Sequence, residues 1–268
     1  MQAPVIFIPH GGGPLPLTDD VRHEALRHFL TGLPSLYGKP DAIVVISAHW
    51  QTTQPTLQMM AKPPMIYDYH GFPESAYQIQ YPAPGAPTLA TEIATHLSQQ
   101  GFSAKLDEQR GFDHGVFVPL MLMYPEADIP VLQLSLMENM DPAAHLALGR
   151  ALQDLRHRNI MVIGSGMSFH NLDSFFVDND QLNEADYHFT KWLIDVCTNP
   201  KYSAKERKTK LINWLDAPYA QVCHPTPEHL MPLHVCVGAA EHGEEEAEVI
   251  FDGDVLGKRV CALNWFNF

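Results

Sequence analysis

Five stretches of the chain are dominated by apolar residues: Val5 to Pro9, Ala42 to Ser47, Pro130 to Leu136, Ile160 to Ser165 and Arg259 to Trp265. Runs that stay apolar instead of alternating suit strands covered on both faces by helices. Between them, apolar positions recur at helical spacing. In "DDVRHEALRHFLTGL" they fall at Val21, Leu26, Phe29 and Leu30 behind an acidic start, and "PTLATEIATHLSQQG" opens on proline and stops at glycine. "DPAAHLALGRALQDLRHRN" has Asp141 at the N-cap, Pro142 at the first helical position and a basic close. Strand and helix alternate, which predicts an α/β fold of three layers, a mainly parallel or mixed central sheet with helices on both faces.

Two regions depart from that alternation. Residues 51–87 hold "KPPMIYDYHGFPESAYQIQYPAPGAP", too long and too aromatic for an idle linker, and read as a structured loop lining something. Residues 172–226 add helices, among them "LNEADYHFTKWLIDVC" and the mixed-charge "SAKERKTKLINWL", the second a solvated surface helix. At 268 residues and 46% hydrophobic composition, the chain is long enough for one substantial core, so residues 1–268 are expected to form a single domain.

Charge and composition narrow the partners. A formal net charge of -14, with Lys and Arg clustered only in "KYSAKERKTK", argues against nucleic acid, which needs a basic footprint. The first strand begins almost at once, without a basic and apolar leader, and no apolar segment approaches bilayer-spanning length. A cytoplasmic protein without membrane contact is therefore expected. The four cysteines, Cys197, Cys223, Cys236 and Cys261, are far apart and form no CxxC pair, and read as buried thiols in a reducing compartment. Oligomeric state is left open.

Fifteen histidines in an acidic chain raise the question of which ones converge. His10 follows the first strand in "VIFIPHGGGPLP", His49 follows "AIVVISA", and His170 follows "IMVIGSGMSF". In open parallel sheets, ligands bind at the carboxyl ends of the strands, so these three are directed to one rim. One strand-end histidine is ordinarily a structural residue; three in the same context point to a shared site. In "HPTPEHLMPLHVCVG", Thr226 reads as N-cap with Pro227 in the first turn, so Glu228 and His229 project from a helix start. The plainer alternative is that Glu228 complements the helix dipole and His229 is solvated. The glycines of "HGGG" and "GSG" are expected to let backbone approach a bound group.

Competing chemistries lack their signatures. "GGGPLPL" has no closing Lys-Ser/Thr for a phosphate loop, neither Ser47 nor Ser165 lies in GxSxG, and HExxH is absent. Imidazoles with open coordination positions suit Fe(II), Zn or a similar metal. His23, His28, His96, His145, His157 and His188 fall in helical patterns and read as surface or boundary residues, while His70 and His234 are not placed.

Taken in order, "PHGGGP", "VVISAHW", "HGFPESAYQIQYPAPGAP", "GFDHGVFVPL", "MYPEADIPVLQLSL", "GSGMSFHN" and "PTPEHLMPL" resemble, across almost the whole chain, the class III extradiol ring-cleaving dioxygenases, in the branch of the 4,5-DOPA extradiol enzymes. The resemblance implies one catalytic domain that cleaves a catechol-type ring with O2 to a semialdehyde. It also implies a non-haem metal held by His10, His49 and His229, with Glu228 the alternative to His229 in "PEH". Fe(II) is expected for activity and zinc is possible in the isolated protein, where His170 would be a fourth ligand. His170 is otherwise the expected catalytic base, and His114 the donor to developing oxygen charge, or else a helix-start residue capped by Asp113. Tyr81, Tyr77 and Trp50 are expected to wall the ring pocket. Two rivals remain, a zinc-dependent hydrolase at the same histidines and a non-enzymatic binding protein on the same scaffold.

Overall fold

The computed structural model describes residues 2–175, 180–240 and 246–266, the side chains of 180–183 excepted. Eight strands form one sheet: β1 (Val5–Pro9), β2 (Ala42–Thr52), β3 (Thr56–Gln58), β4 (Lys105–Asp107), β5 (Val131–Met137), β6 (Ile160–Gly166), β7 (Glu248–Val255) and β8 (Lys258–Trp265). Their order is β4-β3-β5-β2-β6-β1-β8-β7. The central block β5-β2-β6-β1 is parallel, and antiparallel pairing of β3 with β5 and of β8 with β1 makes the whole sheet mixed. Every residue of β1, β5 and β6 is buried, which is why those segments read as unbroken apolar runs.

The helices are α1 (Glu24–Tyr37), α2 (Pro87–Gln99), α3 (His114–Met123), α4 (Pro142–Arg150), α5 (Asp180–Thr198), α6 (Ala204–Ile212), α7 (Ala220–Cys223) and α8 (Met231–Ala239). α3 and α8 lie on opposite faces of β6. A Cβ on Gly164 would meet Pro232 and Cys236 of α8, while the next residue, Ser165, donates to the Gly115 carbonyl of α3. α4 packs backbone to backbone on α8, where a Cβ on Gly149 would stand 2.0 Å from the Val235 carbonyl oxygen.

Several expectations need correction. The Asp141 helix ends at Arg150 and continues as a 3-10 segment over Gln153–Arg158. Thr226 does not cap a helix. Residues 227–230 form a turn in which the Pro227 carbonyl accepts from Leu230 and Met231, and α8 starts at Met231 with Pro232 in its first turn. His23 and His145 are fully buried, not surface residues, because the fold satisfies their rings. Gly12 N–H donates to His23 Nε2 at 3.1 Å, and Met137 N–H to His145 Nε2 at 3.1 Å. Glycines in "GSG" serve the protein itself: a Cβ on Gly166 would fall 2.2 Å from the His229 carbonyl oxygen, so its absence lets the chain before α8 close over the end of β6.

Candidate metal centre

Each imidazole reaches the rim by a different local device. His10 is the first residue after β1, and the chain then turns sharply through Gly11 at φ +80°. His49 does not follow its strand but lies inside β2. Between the pairings Ile46 with Leu134 and Gln51 with Leu136 the register breaks, so Ser47 to Trp50 bulge opposite Ser135 alone and His49 is re-aimed toward the rim. His114 is the first residue of α3 and enters from that helix's face of the sheet. His229 enters from the other face, where Met167 N–H donates to the His229 carbonyl at 3.0 Å. His170 follows β6 by four residues and is held by its backbone N–H on the Cys223 carbonyl at 2.9 Å.

The five rings adjoin. His10 lies 4.9 Å from His49, 5.2 Å from His114 and 5.2 Å from His229, centroid to centroid. His49 is 4.0 Å from His114 and 4.9 Å from His229, and His170 stacks on His229 at 3.3 Å. Two adjoining donor sets emerge, His10 with His49 and His114, and His170 with Glu228 and His229, each with donor atoms within 4.8 Å of one another.

Hydrogen bonding fixes which nitrogen of each ring is free. The Ser165 hydroxyl spends its proton on Gly115 O, so at 3.1 Å from His10 Nδ1 it accepts, and His10 carries its proton on Nδ1. Glu228 Oε1 lies 2.9 Å from His229 Nδ1, and Asp68 Oδ2 lies 3.4 Å from His49 Nδ1. Carboxylates accept only, so the His229 ring is protonated at Nδ1, and the nearby Asp68 charge favours the same tautomer of His49. The Nε2 atoms of His10 and His49 then face each other at 3.1 Å as two lone pairs, and His229 Nε2 is buried with no hydrogen-bond partner. Unpaired buried acceptors of this kind are costly in an empty pocket. A cation relieves all three, and three neutral imidazoles held by their other nitrogens are a borderline metal's ordinary ligand set.

Electrostatics agree. Burial, then the neighbouring imidazoles, lowers His10 and His229 well below the usual histidine range. Burial, with His114 beside it, brings His49 down to about 4. All three are neutral at pH 7, the state that ligates. Burial pushes Glu228 up, but its bonds to His170 and His229 outweigh this and hold it far below the usual carboxylate range.

The remaining predicted residues divide. Glu228 sits behind the rings, with Oε1 committed to His229 Nδ1 and 3.5 Å from His170 Nδ1. Trp50, beside His49 on β2, is buried under the Arg110 guanidinium at 5.0 Å. Tyr81 is not brought to the cluster: it is 1% exposed and its hydroxyl donates to the Tyr124 carbonyl. Tyr77 lies 5.5 Å from Tyr69, and it is Tyr69 that meets the rim, 5.9 Å from His114. Asp113 occupies the N-cap position of α3 without capping it. Its buried carboxylate instead accepts from Ser47, Arg110 and Gln133, and Asp68 takes the His114 N–H. Sequence reasoning missed Asp68, Ser165 and Tyr69. For Asp68 the available signal was a lone acid in the "YDYHGF" stretch of a loop too apolar to be a linker.

The rim therefore has the donor set of a metal-binding α/β enzyme. Residues 15–256 match the family described as the catalytic LigB subunit of aromatic ring-opening dioxygenase, and the chain belongs to that family of oxidoreductases. It is 43% identical to a 4,5-DOPA dioxygenase extradiol of Beta vulgaris, with 81% of each chain covered, and 35% identical to one of Escherichia coli, with 96% and 92% covered. A dioxygenase of Hapsidospora irregularis is 38% identical, with 98% of this chain and 85% of that protein covered. The crystal structure of an uncharacterised protein from Escherichia coli K12 superposes with a TM-score of 0.77 at 29% identity, covering 98% and 99% of the two chains.

Proposed function

We propose that the protein cleaves the ring of a DOPA-like catechol beside its hydroxyl-bearing carbons, placing both atoms of O2 in a ring-opened semialdehyde acid. Neutral imidazoles gathered at the rim, with Nε2 of His10 and His49 facing each other at 3.1 Å and Nε2 of His229 buried without a partner, in a chain of the ring-opening family, carry this reading. His10, His49 and His229 would hold Fe(II), which supplies a common binding point for catechol and dioxygen. In a zinc-bound resting form, His170 is the candidate fourth ligand.

The protein's own residues supply orientation and proton handling. His170, paired through Nδ1 to Glu228, takes a proton from a catechol hydroxyl. His114, whose Nδ1 stands 2.8 Å from Asp68, is our candidate for the ring that donates a hydrogen bond to developing oxygen charge. Tyr69 against His114 and Phe175, 6.2 Å from His170, offer apolar walls for an aromatic ring. Trp50 and Tyr81 lie further out and would shape that wall only through their neighbours. Family membership does not favour the hydrolase and binding-protein readings.

No helix among the described residues is long and apolar enough to cross a membrane. The four cysteines are free and buried, a state that a reducing cytosol maintains, and we place the protein there.

The test is an oxygen-electrode assay on anaerobically prepared, Fe(II)-loaded protein with a panel of catechols. One O2 consumed per catechol, with a yellow product, is the expected result. No uptake across the panel, with iron verified in the protein, overturns the proposal.

A further inference from the structure

We propose that Asp68 is a positioning residue whose single carboxylate orients a metal-binding histidine and the pocket histidine together. The inference rests on the reading of His49 as a ligand. Asp68 lies in the segment between β3 and α2 and reaches both rings from outside the sheet. Its Oδ1 stands 2.8 Å from His114 Nδ1 and 3.1 Å from the His114 backbone nitrogen, and its Oδ2 stands 3.4 Å from His49 Nδ1.

The His114 contact requires an N–H at the ring's Nδ1, because a carboxylate offers no proton, and the Asp68 charge 3.4 Å from His49 Nδ1 favours an N–H there as well. A neutral imidazole protonated there carries its lone pair on Nε2. One anchored acid therefore turns two Nε2 atoms inward, that of His49 with its lone pair toward His10 and that of His114 toward the same pocket.

A purely structural role is the competing account, since Asp68 also satisfies the first N–H of α3 that Asp113 leaves uncapped. Asparagine separates the two. It caps a helix about as well as aspartate, so a cap alone predicts no change in Asp68→Asn. An amide, however, has one accepting oxygen and one donating nitrogen. With the oxygen on His114, the amide nitrogen faces the His49 Nδ1–H, donor against donor, and His49 must turn or move its proton to Nε2, where it no longer ligates.

The experiment is a Co(II) titration of the metal-free full-length protein against a competing chelator, with thermal unfolding recorded for each apo form. Apo Asp68→Asn is expected to unfold within a few degrees of the parent. It should bind Co(II) about 10- to 100-fold more weakly, the usual cost of losing a partner behind a ligand. Asp68→Glu keeps two accepting oxygens and should bind Co(II) more tightly than Asp68→Asn. Asp68→Asn binding within twofold of the parent, or Asp68→Glu binding as weakly as Asp68→Asn, overturns the assignment. The readout is affinity, so a parent protein that binds Co(II) yet opens no catechol would remove the proposed function and leave this test standing.

Discussion

Two groups of buried histidine divide this molecule. His145, in the scaffold, has both nitrogens occupied: Nδ1 donates to the Asp141 carbonyl at 2.8 Å, and Nε2 accepts from Met137 N–H at 3.1 Å. At the rim His10 and His229 are also buried and His49 partly so, and each has its partner at Nδ1. Burial lowers the proton affinity of both groups, so burial does not identify the site. What separates them is the unspent Nε2. The scaffold uses imidazole as a neutral bridge between backbone groups, and the rim uses it as an anchored lone pair.

The sharpest way to break this comparison is to exchange the fates of the two groups. His229→Ala should abolish ring cleavage and remove the rise in thermal midpoint that Co(II) or Zn(II) gives the apo-protein. That rise corresponds to about 4 kcal/mol at a metal concentration 1,000 times its Kd. His145→Gln should keep the full metal response and cleave normally. If both variants lose the metal response, the distinction fails.

Acid should act on the scaffold group as well as on the rim. Burial, the first cause, holds His145 down to about 4, against about 6.5 in the unfolded chain. Between those values the unfolded chain binds a proton that the folded one does not, so stability falls as pH drops from about 6.5 toward 4, by up to about 3 kcal/mol. Urea unfolding of the apo-protein at pH 7 and pH 4.5 should show a smaller loss in His145→Gln than in the parent.

A third test concerns what backs the rim. Gly115 sits in α3, where alanine would ordinarily gain about 1 kcal/mol. Here a Cβ would stand 2.5 Å from Ser47 Oγ and 3.2 Å from His49 Cδ2. Gly115→Ala should instead destabilise by about 1–3 kcal/mol, measured by denaturant unfolding, and should lower kcat as His49 is displaced.

The smallest effect is expected at Glu228. Its contact to His229 Nδ1 at 2.9 Å is the kind an amide oxygen can replace, whereas His170 lies at 3.5 Å. Glu228→Gln should therefore cost less than tenfold in Co(II) affinity, and less than Asp68→Asn in the same titration.

The parts of the fold that could be read from sequence were those buried on both faces. β1, β5 and β6 are apolar throughout because helices cover them on each side. β3 and β4 are three residues each, too short for a period to register, and β7 is a largely exposed edge strand whose polar residues mask it. At the rim, His10 was legible because it ends a strand. Asp68 was not, because its contact with His114 spans 46 residues and depends on how one loop folds back. Tyr81 was chosen for its type in a promising loop, yet type alone does not say which way a phenol points, and this one bonds Tyr124. The Thr226 helix start failed because a Thr-Pro pair serves a turn as well as a helix, and Pro232 supplied the later start.

The excursion in β2 has a bearing on how such chains diverge. Four residues, Ser47 to Trp50, stand opposite the single Ser135, while Ile43 to Ile46 on one side and Gln51 to Thr52 on the other keep their partners. Length changes confined to Ala48 to Trp50 would leave both flanking ladders, Ser47 with Ser165 included, to form as before while shifting His49 relative to the other rings. Insertions and deletions there are thus a route by which descendants of this scaffold alter substrate range or metal preference, and a scan of point substitutions would not reveal it.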